Sequence, residues 1–309
     1  MRERWSTSWM APPRRPDDGF GFLPAVPRFS KFEICFTTEG AQAPPCGGEI
    51  IMNKSFKIGI AVAAAAGSLT SVALIGVGGA NGTGPHWEYQ GEEGPNHWGE
   101  LDASYQACAD GSAQTPINIT KFEKKNLKNL VFNYNHNGVG TVVNNGHTVQ
   151  LNADAGQSVT IGNTTYPFLQ IHFHTPSEHE INGKHYPLEV HFVHKTDGGE
   201  IAVVGIFVTE GRKHNHAWDG FVSALEASDS TPVNVDWDEM FPENKQTLRY
   251  SGSLTTPPCT EGVAWNIFTT PVELDREQIN EFINTYNGNM RPVQPINGRK
   301  VFLDSTPNS

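Results

Sequence analysis

The sequence predicts one mainly β domain with a few peripheral helices, and three features support this. Apolar and polar residues alternate with the two-residue period of a strand in segments 168–174 and 188–194. An unbroken apolar run at 201–208 is typical of a central strand that is buried on both faces. The clearest helical period is at residues 275–286, where Asp275 and Gln278 resemble a capping box and Asn287-Gly288 follows the last residue.

Shorter strands are expected around these segments, because turns rich in Gly, Asn and Asp separate short apolar stretches. The expected strands are 130–134, 140–143, 147–151, 158–161, 247–254 and 263–268. We also expect a helix over 214–227 and an irregular, aromatic-rich arm over 86–98. The sequence has no internal repeat, P-loop or dinucleotide-binding motif, which argues against those classes of fold.

Three histidines fall on the two alternating segments. His172 and His174 lie two residues apart and therefore share one face of the first strand, while His191 lies on the second strand. The connection contains Asn182-Gly183, a strong turn signal, and antiparallel pairing would bring His191 opposite the other two. Three neutral imidazoles with an open fourth position form a catalytic type of zinc site. The alternative is that these histidines fill half-buried strand positions as ordinary structural residues.

Polar neighbours favour the metal site. Gln170 and Glu189 each lie one pleat from a candidate ligand, on the same strand face. Metal-bound histidines usually donate their other ring N–H to a carboxylate, an amide or a carbonyl. Ordinary core packing would not require polar side chains at these two positions.

The front of the chain differs in composition from the rest. Residues 1–51 have Arg and Pro clusters and no periodicity, and we interpret them as a disordered leader or a mis-called start that precedes the true start at Met52. Residues 52–80 combine a basic beginning, an apolar run and small residues at its end, which indicates a secretory signal peptide. Cleavage near residue 80 would release 81–309 into the periplasm or medium, with no stable membrane insertion. An uncleaved membrane anchor is the alternative.

The net charge and the cysteine content limit the binding partners and the cellular compartment. The formal net charge of −11 over 309 residues argues against binding nucleic acid or an anionic membrane through charge. Only Cys108 and Cys259 lie in the expected mature domain, an even count that suits one disulfide in an oxidising compartment. Two unrelated buried thiols are the alternative. The sequence leaves the oligomeric state open, and a homodimer is compatible with it.

A series of short motifs carries a family resemblance. The motifs are GPNHW at 94–98, QTPINI at 114–119, NNGH at 144–147, QIHFH at 170–174, SEH at 177–179, EVH at 189–191, LTTPP at 254–258 and NMRPVQP at 289–295. From about residue 86 to 302, the chain resembles an α-class carbonic anhydrase of the exported bacterial type. The resemblance implies a large, twisted, mostly antiparallel sheet with a conical cleft that holds Zn²⁺. It implies reversible hydration of CO₂ to bicarbonate and a proton by zinc-bound hydroxide.

The resemblance also implies roles for individual residues. His172, His174 and His191 match the zinc ligands, and Gln170 and Glu189 match the groups that hydrogen-bond to them. For carbonic anhydrases as a class, zinc lowers the pKa of its bound water from 15.7 to about 7. The complete set of three ligands favours an enzyme over the alternative, an acatalytic carbonic anhydrase-like module for binding or zinc capture.

The remaining matches concern substrate and proton transfer. Thr255 matches the residue whose hydroxyl accepts from the zinc-bound hydroxide and donates to Glu178, and His147 matches the proton shuttle. The positions that match the CO₂ pocket are Val193, Val203, Leu254, Thr256 and Trp265, and those that order the connecting waters are Tyr89, Asn145 and Gln150. Gln150 replaces a more usual asparagine. Cys108 and Cys259 match the disulfide of exported members.

Overall fold

The computed structural model describes residues 84–305, which form a mainly β fold organised on one large sheet. The expected leader at 1–51 and signal peptide at 52–80 lie outside the described residues, so both stay predictions. Within residues 84–305, no helix has the length and apolar character needed to cross a bilayer.

The strands of the described region are β1 (Asn118–Ile119), β2 (Glu123–Lys125), β3 (Leu130–Asn133), β4 (Gly138–Asn144), β5 (Val149–Ala153), β6 (Ser158–Ile161), β7 (Thr164–His174), β8 (Glu180–Ile181), β9 (Leu188–Lys195), β10 (Ile201–Glu210), β11 (Pro232–Val235), β12 (Thr247–Ser253), β13 (Glu261–Phe268), β14 (Val272–Leu274) and β15 (Phe302–Asp304). The α-helices are α1 (Trp98–Leu101), α2 (Ala107–Asp110), α3 (Asp219–Ala224) and α4 (Arg276–Thr285). Short 3₁₀ turns occur at Gly91–Glu93, Ala103–Tyr105 and His216–Trp218.

The large sheet is mixed rather than purely antiparallel. Its main strand order is β11-β4-β5-β7-β9-β10-β13-β12-β15-β2, so β7, β9 and β10 lie near the centre. Among the described residues, nine of the thirteen strand pairings are antiparallel, as expected. However, β10 runs parallel to β13 and β14, β15 runs parallel to β2, and β1 pairs with β8 in a separate parallel ribbon.

Strand β10 is buried on both faces, as its continuous apolar run predicts. Val204 and Ile206 belong to a core cluster that includes Phe282 of α4. Val203 and Phe207 point to the opposite face by the two-residue period and belong to a second cluster. The sheet therefore separates two apolar layers. The face of the central strands that carries the three candidate histidines lies on the side of the cluster with Val203 and Phe207.

A bulge in β7 corrects one detail of the predicted alternation. Phe168 pairs with His194 and Gln170 with Val193, so two steps along β7 correspond to one step along β9. The extra residue, Leu169, is 44% exposed, although the alternation predicts it on the apolar face. Phe168 lies in the core in its place.

The connection between β7 and β9 is longer than a simple hairpin. Asn182 and Gly183 do form the predicted tight turn, with positive φ values of 52° and 74°. Ile181 and Lys184 exchange backbone hydrogen bonds across it. This turn joins only Ile181 to Lys184, next to β8. It does not join β7 directly to β9, which pair with each other outside this turn.

The two predicted helices have different outcomes. Helix α4 begins with the predicted capping box, in which Asp275 Oδ1 accepts from the backbone N–H of Gln278 and Gln278 Oε1 accepts from the backbone N–H of Asp275. The helix expected over 214–227 is shorter, with a 3₁₀ turn leading into α3. Asn215 accepts a hydrogen bond from the Ala217 N–H, which starts the helical segment at residue 216.

The expected disulfide is present between Cys108 in α2 and Cys259 in the loop between β12 and β13. The two cysteines are 151 residues apart in sequence, so the bridge joins distant parts of the fold. Both side chains are buried beside Trp87, Trp98 and Tyr105.

Replacing both cysteines by alanine is expected to lower the free energy of unfolding by up to about 4–5 kcal/mol. The reason is that the bridge restricts a very long loop in the unfolded chain. Urea denaturation with and without reductant measures the effect. Reductant should lower the midpoint of the wild type and leave that of the double variant unchanged; equal midpoints for the two oxidised proteins would contradict the prediction.

Candidate metal centre

The register of β7 against β9 brings the three candidate ligands together. His172 lies directly opposite His191, and His174 lies opposite Glu189. The ring centroids are 5.1 Å apart for His172 and His174, 5.2 Å for His172 and His191, and 4.7 Å for His174 and His191. One nitrogen of each ring lies within 4.8 Å of the others, and all three side chains are buried.

Hydrogen bonds occupy one nitrogen of each ring. His172 donates from Nδ1 to Gln170 Oε1 at 2.9 Å, and His191 donates from Nε2 to Glu189 Oε1 at 2.8 Å. These are the partners that the sequence suggests. The bonds fix the tautomers and leave His172 Nε2 and His191 Nδ1 as lone-pair donors.

The partner of His174 is a main-chain oxygen that sequence reasoning missed. His174 donates from Nδ1 to the carbonyl of Asn289 at 2.7 Å. The Asn289 side chain also accepts from the Thr175 N–H and donates to the carbonyls of Phe173 and His147. Asn289 opens one of the family motifs, which was the only available signal. His174 Nε2 is left buried without a hydrogen-bond partner among the described residues.

Burial favours the neutral form of two of the three imidazoles. Burial lowers the pKa of His172 well below its ordinary value, and the neighbouring His174 and His191 lower it further. Burial also lowers the pKa of His174. Neutral imidazole is the form that binds a metal, and three converging ring nitrogens fit the nitrogen-rich coordination of Zn²⁺.

Glu189 orients two imidazoles at once. Its Oε1 accepts from His179 Nδ1 at 2.7 Å as well as from His191, and its Oε2 accepts from the His179 N–H at 2.9 Å. Desolvation alone would raise the pKa of Glu189, but His179 and His191 hold it well below its usual value. The other nitrogen of His179 contacts the Tyr250 hydroxyl at 2.6 Å. The sequence placed His179 in a motif without assigning it a contact.

Glu178 lies beside the ligand nitrogens. Its Oε2 is 3.4 Å from His174 Nε2 and makes no hydrogen bond among the described residues. Its Oε1 accepts from the backbone N–H of Arg291 at 2.9 Å. Thr255 is buried in the loop between β12 and β13. The expected donation from Thr255 to Glu178 is thus not formed in this structure, although the carboxylate oxygen that would accept it is free.

The residues expected in the CO₂ pocket collect in one apolar cluster. Val203 and Trp265 are buried in it, and Val193 and Leu254 pack against it while remaining partly exposed. Val263, which was not predicted, belongs to the same cluster. The Trp265 ring meets the His191 ring edge-on at 4.9 Å, so this apolar wall adjoins the triad. Thr256, the remaining expected member, accepts from the Cys259 N–H through its carbonyl and lies half-buried.

The expected shuttle residue lies in a turn before β5 rather than within a strand. Asn145 Oδ1 accepts from the backbone N–H groups of His147 and Thr148, which delays the start of the strand to Val149. The His147 ring stacks on Trp87 with centroids 3.7 Å apart, and His147 Nε2 donates to the Trp87 carbonyl at 2.8 Å.

The expected water-ordering residues surround this turn in part. Tyr89 is half-buried with its ring 6.2 Å from that of His147, and burial, with a smaller effect of Glu178, raises the pKa of its phenol well above the ordinary value. Gln150 lies on β5 and donates to Asn152 Oδ1. Asn145 Nδ2, His147 Nδ1 and Gln150 Oε1 are buried and have no hydrogen-bond partner among the described residues.

Comparison with known proteins agrees with this geometry. The family model for eukaryotic-type carbonic anhydrase matches residues 93–305. The carbonic anhydrase of Klebsiella pneumoniae is 40% identical over 222 residues, which cover 70% of this chain and 90% of that protein. That of Pectobacterium atrosepticum is 37% identical over 220 residues, with the same coverage.

A solved structure extends the comparison to three dimensions. The α-carbonic anhydrase of Thermovibrio ammonificans, determined in complex with the inhibitor sulfanilamide, is 41% identical and superposes with a TM-score of 0.67. The alignment covers 71% of this chain and 99% of that one. The chain therefore belongs to the eukaryotic-type, or α, carbonic anhydrase family, the enzymes that interconvert CO₂ and bicarbonate.

Proposed function

We propose that the chain hydrates CO₂ with a Zn²⁺ ion held by His172 Nε2, His174 Nε2 and His191 Nδ1. The observation that carries this proposal is the set of three buried imidazoles, each with its other nitrogen already hydrogen-bonded. When bound, the zinc ion supplies a Lewis acid that makes water nucleophilic near neutral pH. The protein's part is to orient the ligands, present the substrate and remove the proton.

Thr255 and Glu178 would orient the attacking water. A carboxylate only accepts hydrogen bonds, so Glu178 Oε2 requires the Thr255 hydroxyl to donate to it. Because the Thr255 proton is used for Glu178, the Thr255 oxygen can only accept a hydrogen bond from the attacking water. This hydrogen bond orients the water so that its lone pair faces the carbon of CO₂. The unpaired, buried state of Glu178 Oε2 supports this role, because buried carboxylate oxygens rarely lack a partner.

The apolar cluster beside the triad would hold CO₂. The substrate carries no charge and makes only weak hydrogen bonds, so a dry wall concentrates it better than a polar one. Val193 and Leu254 offer partly exposed apolar surface, backed by the buried Val203 and Trp265. The contact of Trp265 with the His191 ring supports placing this surface next to the reacting atoms.

His147 would pass the released proton to buffer. A histidine titrates near neutral pH and exchanges protons readily in both directions. Buried polar atoms are normally satisfied by protein or by ordered water, so the unpaired atoms of Asn145, His147 and Gln150 support a bound water network with Tyr89. The Trp87 carbonyl holds His147 Nε2 in this structure. The ring would therefore have to break this hydrogen bond and leave its stack on Trp87 in order to face the triad.

Export to an oxidising compartment is part of the proposal. The disulfide between Cys108 and Cys259 supports it, because such bridges persist in the periplasm and outside cells.

An acatalytic module for zinc capture is the second candidate, and the same buried triad would serve it. Zinc-loaded protein without hydratase activity would favour that candidate over the enzyme.

Substitution of His172 by alanine is expected to abolish tight zinc binding and to reduce CO₂ hydration by several orders of magnitude. Only two of the three ring nitrogens would remain to hold the ion. Stopped-flow CO₂ hydration together with zinc analysis of the dialysed protein measures both effects. A variant that keeps one equivalent of zinc and most of its activity would contradict the assignment.

Substitution of Glu189 by glutamine is expected to weaken zinc binding by about 10–100-fold, because His191 loses the carboxylate that fixes its tautomer. Competition with a zinc chelator measures the affinity. Glu180→Gln is the matched control, since Glu180 pairs with His185 rather than with a ligand of the triad. Equal affinities for the two variants would remove Glu189 from this role.

Substitution of His147 by alanine is expected to slow turnover mainly in dilute buffer, with partial rescue by added imidazole, because only proton export depends on the shuttle. Rates at low and high buffer concentration separate this step from CO₂ hydration. His136→Ala is the control, since His136 is an exposed histidine paired with Asp236. An unchanged rate of His147→Ala in dilute buffer would exclude the shuttle role.

A further inference from the structure

A second group of histidines and carboxylates lies outside the triad, where residues 214–219 meet the start of α4. His214 and His216 flank the start of the 3₁₀ turn that leads into α3, and Asp219 is the first residue of α3. Asp275 is the N-cap of α4. We refer to these four residues as the α3–α4 cluster. None of them contributes to the triad or to the apolar pocket beside it.

Both imidazoles of the cluster face one carboxylate. His214 Nε2 is 2.6 Å from Asp219 Oδ1, and His216 Nδ1 is 3.0 Å from Asp219 Oδ2. The two ring centroids are 4.8 Å apart. One ligand atom from each of His214, His216 and Asp219 lies within 4.8 Å of the others.

Asp275 completes the arrangement from a different element. Its Oδ2 accepts from His214 Nδ1 at 3.0 Å, on the side of the ring opposite Asp219. Because one carboxylate holds Nδ1–H, the lone pair of Nε2 is available once its proton leaves. A carboxylate that accepts from the far nitrogen of a histidine is the usual companion of a metal-bound imidazole.

An ordinary surface ion pair needs only one histidine and one acid, and the chain offers such a case for comparison. His136 lies 3.1 Å from Asp236 and 3.7 Å from Asp238. That group, which also includes Glu239 as a neighbour, contains a single imidazole. The α3–α4 cluster differs in that two imidazoles converge on the same carboxylate.

We propose that His214, His216 and Asp219 bind a divalent transition ion of the Zn²⁺ class, with Asp275 positioning His214. Two nitrogens and one carboxylate oxygen are a donor set that zinc accepts, with water in the remaining position. Zn–N and Zn–O bonds of about 2.0–2.2 Å require the three side chains to close around the ion. His216 is 86% exposed and His214 43%, so both rings have room to make that movement. The ion would hold the three ligands of residues 214–219 together, and the hydrogen bond from His214 to Asp275 would connect them to the start of α4.

The ion has to displace a proton from His214. Asp219 and then Asp275 raise the pKa of His214, so the proton competes most strongly at low pH. Binding is therefore measured at mildly alkaline pH. Mg²⁺ and Ca²⁺ prefer all-oxygen ligands, so neither should compete at this site.

The test is equilibrium dialysis of the untagged full chain against Zn²⁺, with excess Mg²⁺ present and total zinc measured. The wild type is expected to hold two equivalents, one in the triad and one in the α3–α4 cluster. His214→Ala and His216→Ala should each lose the second equivalent and keep the first, with CO₂ hydration unchanged. His136→Ala, the matched surface control, should keep both equivalents.

Asp275→Asn separates the positioning role from a merely structural one. Asparagine is as good an N-cap as aspartate, so α4 should keep its helicity by circular dichroism. Zinc affinity of the second site should nevertheless fall by about tenfold or more, because the acceptor for His214 loses its charge. Unchanged second-site affinity in Asp275→Asn would overturn the role of Asp275.

Two results would overturn the site itself. One is a wild type that holds a single equivalent of zinc at saturation of the triad. The other is a second equivalent that survives the His214→Ala/His216→Ala double variant. Both outcomes leave the activity of the triad unaffected, so they are distinguishable from a failure of the proposed hydratase function.

Discussion

The pairing of β7 with β9 is the constraint on which the rest of the site depends. A shift of one residue in either strand would turn every side chain to the other face of the sheet. The register is held by the buried face, where Ile171, Phe173, Val190 and Phe192 belong to the main core cluster. Slippage would move imidazoles into that core and aromatic rings out of it, so hydrophobic packing on one face fixes the metal geometry on the other.

Much of this arrangement could be predicted because it follows from the two-residue period of strands. Gln170 and Glu189 lie two residues from the histidines they orient, so period and chemistry together identify them. The partner of His174 could not be found in this way. It is a main-chain carbonyl 115 residues away, and every residue type carries one. The bulge at Leu169 was also missed, although one extra residue shifts the phase of the alternation and leaves Phe168 and Leu169 as two consecutive apolar residues.

The starts of the two helical segments are both decided by local side chains, but only one of them was predicted. The capping box of α4 is a local feature, and the sequence predicts its position correctly. The 3₁₀ turn that leads into α3 begins after Asn215, whose side chain accepts a hydrogen bond from the Ala217 N–H. Local chemistry therefore predicted the start of α4, but it missed the cap at Asn215, which is also local, and it could not reveal the contact of His174 with a distant backbone group.

The loop that carries Thr255 extends this argument to catalysis. Cys259 is bonded to Cys108, and its carbonyl accepts from Gln114 Nε2 at 3.0 Å. The buried guanidinium of Arg291 donates to Gln114 Oε1 and to the Cys108 carbonyl, while its backbone N–H holds Glu178. One connected set of contacts therefore positions both the loop of Thr255 and the carboxylate that would orient it. These contacts join residues up to 183 positions apart in sequence. A motif can therefore identify the residues involved, but only the folded chain determines the distances between them.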